Sequence, residues 1–186
     1  MNMQKILQHE ERVALGCLSC YNEGRLTFKW LNADELEEAH ESGNLAKAVC
    51  SRPDTIYHIR DEWEIQDYDG EINRLRLGGW PNIENLIEMM RLIDDEPEKY
   101  AAACEAAIDR YESPTADQVE EVADMMYYVG DQSLEDYFME QAYDDGRIKN
   151  GDYWESHINW KDYAQEQMYH YTEYTYRGDT YLLPNY

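Results

Sequence analysis

Hydrophobic positions along the chain change their spacing at two places, and the elements they predict change with them. From Arg12 the runs Val13-Ala14-Leu15-Gly16-Cys17-Leu18 and Leu26-Thr27-Phe28-Lys29-Trp30-Leu31 are short and apolar, and they flank Tyr21-Asn22-Glu23-Gly24. Asn and Gly tolerate the positive φ of tight reversals, so the pattern predicts a β-hairpin. Asn32, with Glu35 three residues on, predicts a capped helix that stops at Gly43. Thr55 to Tyr68 predicts a third strand, with Ile56, Ile59, Trp63 and Ile65 set among Asp61, Glu62, Glu64 and Asp67. Gly78-Gly79-Trp80-Pro81 then interrupts the chain. Beyond it the apolar period is 3.6, which marks a domain boundary.

Four short helices are expected next, forming a small bundle. Asn82 caps the first, whose apolar face is Ile83, Leu86, Ile87, Met90 and Ile93. Asp94-Asp95-Glu96-Pro97 starts the second, and Ser113-Pro114-Thr115 breaks it. Thr115 with Gln118 opens the third, which Gly130 ends, and Ser133 caps the fourth. Past Gly146 the spacing changes again. Tyr153 to Met168 predicts a helix, and Tyr169, Tyr171, Tyr174 and Tyr176 lead through Arg177-Gly178-Asp179 into Tyr181-Leu182-Leu183, a hairpin of β-prone aromatics. Met1 to Glu11 is a polar lead-in without an assigned element.

The polar faces of the bundle helices are unusual. Leu134, Tyr137, Phe138, Gln141 and Ala142 make one helical stripe, while Asp136, Glu140 and Asp144 repeat at i, i+4, i+8 on another. Asp117, Glu121 and Asp124 line up at i, i+4, i+7 opposite Val119, Val122, Ala123 and Met126. Like charges at that spacing cost roughly 0.2 to 0.5 kcal/mol per pair in an isolated helix, and an interposed lysine would reverse the sign. A solvated acidic face accounts for one such row. Two rows in an acidic chain point to a use for the charge.

The totals extend that reading to the whole molecule. Of 186 residues 40 are Asp or Glu and 16 Lys or Arg, a formal net charge of -24. Double-stranded DNA carries about two charges per base pair, so the chain has the net charge of roughly a dozen base pairs. Direct binding to nucleic acid or to an anionic membrane is disfavoured, and a basic partner is favoured. With 17 Tyr, 5 Trp and 43% hydrophobic residues, the chain is too aromatic for a disordered polyacid. The absence of a signal-like start and of a long apolar run predicts a cytoplasmic protein.

Motifs for chemistry are sparse. Cys17-Leu18-Ser19-Cys20 is the one C-x-x-C, and on a strand its thiols would point to opposite faces, so no metal site is expected. The histidines lie singly. Asp67-Tyr68-Asp69-Gly70-Glu71 invites comparison with a calcium loop but lacks the twelve-residue pattern. No phosphate-binding glycine loop or nucleophile elbow occurs. The expectation is a protein that acts by binding, with no catalytic residues and no cofactor. A structural or adaptor dimer binding some other basic protein and a calcium-binding acidic module are the alternatives. The tyrosine-rich last third suits both core packing and self-association.

Three stretches carry a family resemblance. Leu18-Ser-Cys-Tyr-Asn-Glu-Gly-Arg-Leu-Thr-Phe-Lys-Trp-Leu31 resembles the opening hairpin of the ArdA antirestriction family. Glu64-Ile-Gln-Asp-Tyr-Asp69 resembles a strand of that family, and Ile158-Asn-Trp-Lys-Asp-Tyr-Ala164 its C-terminal helix. They fall in the family's order, with two departures: Cys20 stands where Lys is common, and Ser42 to Pro53 looks inserted or diverged.

The resemblance implies an elongated α+β protein of three small domains, taken as 12–77, 78–132 and 133–186, with the last forming a homodimer. It implies a DNA mimic that competes for the DNA-binding groove of type I restriction-modification enzymes, so that mobile DNA escapes cleavage. The carboxylates assigned to the mimic surface are Glu37, Glu38, Glu41, Asp61, Glu62, Glu64, Asp67, Asp94, Asp95, Asp117, Glu121, Asp124, Asp136, Glu140, Asp144 and Asp145.

Overall fold

A computed structural model describes residues 10–50, 62–149, 151, 153 and 155–185. The architecture is α+β, and the chain divides into two compact units, Met1–Glu121 and Val122–Tyr186.

In the first unit, β1 (Arg12–Cys17) is the central strand of an antiparallel sheet ordered β2-β1-β3, with β2 at Phe28–Leu31 and β3 at Trp63–Asp69. Val13 faces Leu31 on one side and Tyr68 on the other. Val13, Ala14, Leu15 and Cys17 are all buried, as a strand covered on both faces requires. The predicted pairing of the first two strands holds, but their connection does not. Cys17 ends β1 and caps a helical turn, α1 (Leu18–Asn22), and Gly24 at φ 78° turns the chain back. The expected third strand begins at Trp63, and its portion at 55–61 lies outside the described residues, as does Asp61.

The cap signals locate the helices of this unit. Asn32 and Glu35 form the reciprocal capping box of α2 (Ala33–Glu41), and Gly43 follows at φ 75°. Asn44 caps α3 (Leu45–Val49), which packs on β1. Gly78-Gly79-Trp80-Pro81 folds back along β3: the Ile65 N–H donates to the Gly79 carbonyl at 2.8 Å, and the Trp80 indole to the Trp63 carbonyl at 2.9 Å. Asn82 caps α4 (Ile83–Asp95), whose Leu86, Met89, Met90 and Ile93 are buried. α5 (Pro97–Arg110) carries Pro97 at its first turn, and its Ala101, Ala102, Ala103, Cys104, Ala106 and Ala107 are fully buried. Such small side chains let neighbouring backbones approach closely. Thr115 and Gln118 exchange hydrogen bonds of 2.9 and 3.3 Å at the start of α6 (Ala116–Met125).

One buried acid joins these parts. The Glu11 carboxylate accepts from the N–H of Glu71 at 2.9 Å and of Ile72 at 2.6 Å, and the Glu11 N–H donates to Asp94 at 2.8 Å. Gly70, at φ 109°, lies against this carboxylate, and a Cβ there would meet it at 2.4 Å. Glycine is therefore required twice over, for the backbone and for the space.

In the second unit the expected third helix is shorter than its pattern suggested. It stops at Met125, and Tyr127–Gly130 is a strand, β4. β-Prone Tyr127, Tyr128 and Val129 gain a ladder with the C-terminal hairpin, which a helix extended to Gly130 would forfeit. Sheet order is β4-β6-β5, all antiparallel, with β5 at Tyr171–Tyr176 and β6 at Asp179–Pro184. The hairpin turns as predicted, with Arg177 at φ 52° and Gly178 at φ 99°. Ser133 caps α7 (Leu134–Asp144). This helix belongs to the second unit, whereas α4 and α5 belong to the first, and its Tyr137 and Phe138 join Val129, Ala164 and Leu182 in the core. Gln141, placed on the apolar stripe by its spacing, is exposed. The last helix, α8 (Trp160–Gln167), is half the expected length because Asn159 caps it. Among the described residues no helix is long and apolar enough to cross a membrane.

Candidate functional site

The acids sort by what their side chains already do. On α7, Asp136, Glu140 and Asp144 are exposed, and the opposite face of the helix is anchored by Tyr137, Phe138 and Ala142. Asp136 completes the cap: its N–H donates to Ser133 Oγ at 3.1 Å, and the Ser133 hydroxyl donates to its carboxylate at 2.7 Å. No basic residue lies in the last turn, where Asp144 meets the negative end of the helix dipole. The row is thus held on a fixed scaffold at a cost in helix stability. On α6, Asp117, Glu121 and Asp124 are likewise exposed, and Glu121 accepts from the Tyr111 hydroxyl at 3.4 Å.

Carboxylates at i and i+4 stand roughly 6 Å apart along a helix axis. Phosphates on one strand of DNA advance about 3.4 Å per step, so a helical row presents charge at about every second phosphate. Rigid backing matters, because a flexible polyanion loses conformational freedom when it binds.

Other members of the expected set serve the fold. Glu37 and Asp34 of α2 both accept from the Arg91 guanidinium, at 2.6 and 2.8 Å. Its hydrogen bond holds the Glu37 carboxyl below the usual carboxylate range. Asp94 holds the Glu11 N–H, and Asp145 pairs with Arg147 at 2.9 Å. Glu62 accepts from the Ser19 hydroxyl at 3.3 Å, and Asp67 from the Tyr68 N–H at 2.9 Å. Glu64 packs against Gly79. Glu38, Glu41 and Asp95 are exposed. In the calcium-like stretch, Asp69 pairs with Arg12 at 2.8 Å and Glu71 with Arg74 at 2.6 Å.

Two features escaped the sequence reading. Sequence spacing gave no sign that Arg91 would reach back to α2, more than fifty positions away. The thiols of Cys17 and Cys20 do not point apart. At the junction of β1 and α1 they converge, and Cys50 joins them, all three sulfurs lying within 4.8 Å of one another.

Aromatic rings crowd the second unit. Tyr127 meets Tyr171 edge-on with centroids 5.9 Å apart, and Tyr128 meets Tyr181 at 5.3 Å. Tyr127, Tyr128, Tyr153 and Tyr169 nevertheless remain exposed.

Compared with known proteins, residues 13–179 match a family model described as antirestriction protein (ArdA). No match was found among curated proteins.

Proposed function

The chain belongs to the ArdA family of antirestriction proteins, and we propose that it acts as a DNA mimic, its carboxylate rows standing in for phosphates in the DNA-binding groove of a type I restriction-modification enzyme. The row Asp136, Glu140 and Asp144 on α7 carries this reading. These acids are exposed, evenly spaced and fixed to a packed helix. Asp117, Glu121 and Asp124 on α6 extend it, and a net charge of -24 supplies the long-range field that steers a basic groove toward the chain. The inhibitor works by occupancy alone. Glu37, Asp94 and Asp145 are secondary to the surface, since their charge is already engaged within the protein. The chain acts as a homodimer, with the exposed tyrosines of the second unit supplying aromatic contact area.

The reading is tested in cells. Unmodified plasmid introduced into a host with an active type I system should transform poorly, and expression of the chain should restore transformation toward that of modified plasmid. Unchanged restriction at high expression would overturn the proposal.

A further inference from the structure

The DNA-mimic reading leaves the three converging thiols unused. Cys17 is the last residue of β1 and the cap of α1, and its sulfur accepts from the Cys20 N–H at 3.5 Å. Cys50 caps the C-terminal end of α3, thirty residues away, and its sulfur lies 3.6 Å from that of Cys20. Cys17 and Cys20 are buried, and Cys50 is half-buried. We propose that Cys17, Cys20 and Cys50 form a zinc site that ties α3 to the β1–α1 corner.

Geometry and charge both support the assignment. Zinc–thiolate bonds are about 2.3 Å long, which places the sulfurs of a tetrahedral site about 3.8 Å apart. The Cys20 and Cys50 sulfurs stand close to that separation. A backbone N–H donated to a C-x-x-C sulfur is compatible with that sulfur acting as an anionic ligand. Binding converts three thiols to thiolates, releasing three protons to solvent, and leaves the zinc centre with one net negative charge. The Arg25 guanidinium lies against Cys20 while pairing with Glu23. Three protein ligands leave the fourth tetrahedral position open. This site does not depend on the restriction reading, and its test uses no restriction enzyme.

Cobalt serves as the spectroscopic probe. Full-length chain, reduced with a phosphine and freed of metal by a chelator, is titrated with Co2+. A sulfur-to-cobalt charge-transfer band and intense tetrahedral visible bands should saturate at one ion per chain and bleach on addition of Zn2+. Cys50→Ser should weaken cobalt binding at least about tenfold, whereas Cys104→Ser should leave it unchanged. In case Cys50→Ser fails to fold, alkylation of the unsubstituted chain gives a second readout: Zn2+ should slow modification of Cys50, and Mg2+ should not. A weak octahedral spectrum insensitive to Cys50→Ser would place cobalt on surface carboxylates only and overturn the site. So would alkylation that Zn2+ leaves unaffected.

Discussion

Replacing Glu11 with alanine lowers stability by about 4 kcal/mol, the largest effect expected of any single substitution away from the apolar core. The Glu11 carboxylate is the acceptor for the half-buried N–H of Glu71 and the buried N–H of Ile72. Each orphaned buried donor costs roughly 1 to 3 kcal/mol, and a cavity adds to that. For a chain of this size each kcal/mol moves Tm by about 2 to 4 °C, so calorimetry should show a fall of roughly 10 °C. Gly70→Ala should produce a comparable loss, because the new Cβ expels the same carboxylate and sits at a φ that alanine resists.

The same group makes stability depend on pH in an uncommon direction. Burial raises Glu11 from 4.5 to about 7, against the two N–H bonds that favour its ionised form, with the charges of Asp94 and Glu71 adding to the rise. The folded state therefore holds a proton that the unfolded chain gives up. Its contribution is fully present below about pH 4.5 and is lost as pH rises through about 7. Over that window the loss is of order 3 kcal/mol. Urea titrations across the window should show a falling slope in the unsubstituted chain and a flatter one in Glu11→Gln, which cannot titrate. The difference between the two isolates Glu11 from the general repulsion of a highly acidic molecule. Parallel slopes would remove Glu11 from the account.

The second large effect is functional. Asp136→Lys, Glu140→Lys and Asp144→Lys together should weaken inhibition about 100-fold while leaving the far-ultraviolet circular dichroism of the protein intact. All three side chains are exposed, so the fold loses little beyond the cap contact with Ser133 and an unfavourable charge at the first turn, each worth about 1 kcal/mol or less. Replacing three attractions with repulsions at a basic groove costs about 3 kcal/mol, and each 1.4 kcal/mol is tenfold in affinity. Reversing Asp145 should matter less, because Arg147 already offsets its charge. Equal potency of the triple variant would dismiss this row.

What the sequence made legible was whatever is written locally. The caps at Asn32, Asn82, Thr115 and Ser133 each need only residues within one turn, and all four stand where the pattern placed them. The Arg177-Gly178 reversal is equally local. The exposure of Asp136, Glu140 and Asp144 followed from helical spacing alone. The errors share the opposite property. Tyr127 to Gly130 becomes strand only because Tyr181 and Leu182 arrive from more than fifty residues away. A strand reading of Cys17 and Cys20 fails because β1 ends at Cys17, and Cys50 joins them only through the packing of α3 on that strand. Glu11 sat in a polar lead-in, and nothing near it announced that Glu71 and Ile72 would bury it. Composition likewise could not separate acids presented to solvent from those, such as Glu37 and Asp94, that hold the protein together.

A groove built for DNA should accept this chain in its place. A purified type I restriction enzyme bound to labelled DNA, titrated with the unsubstituted protein at two salt concentrations, tests it most directly. DNA should be displaced competitively, more DNA should demand proportionally more protein, and the affinity of the protein for the enzyme should fall as salt rises. DNA that stays bound at a large molar excess of protein, or inhibition that extra DNA does not relieve, would contradict it.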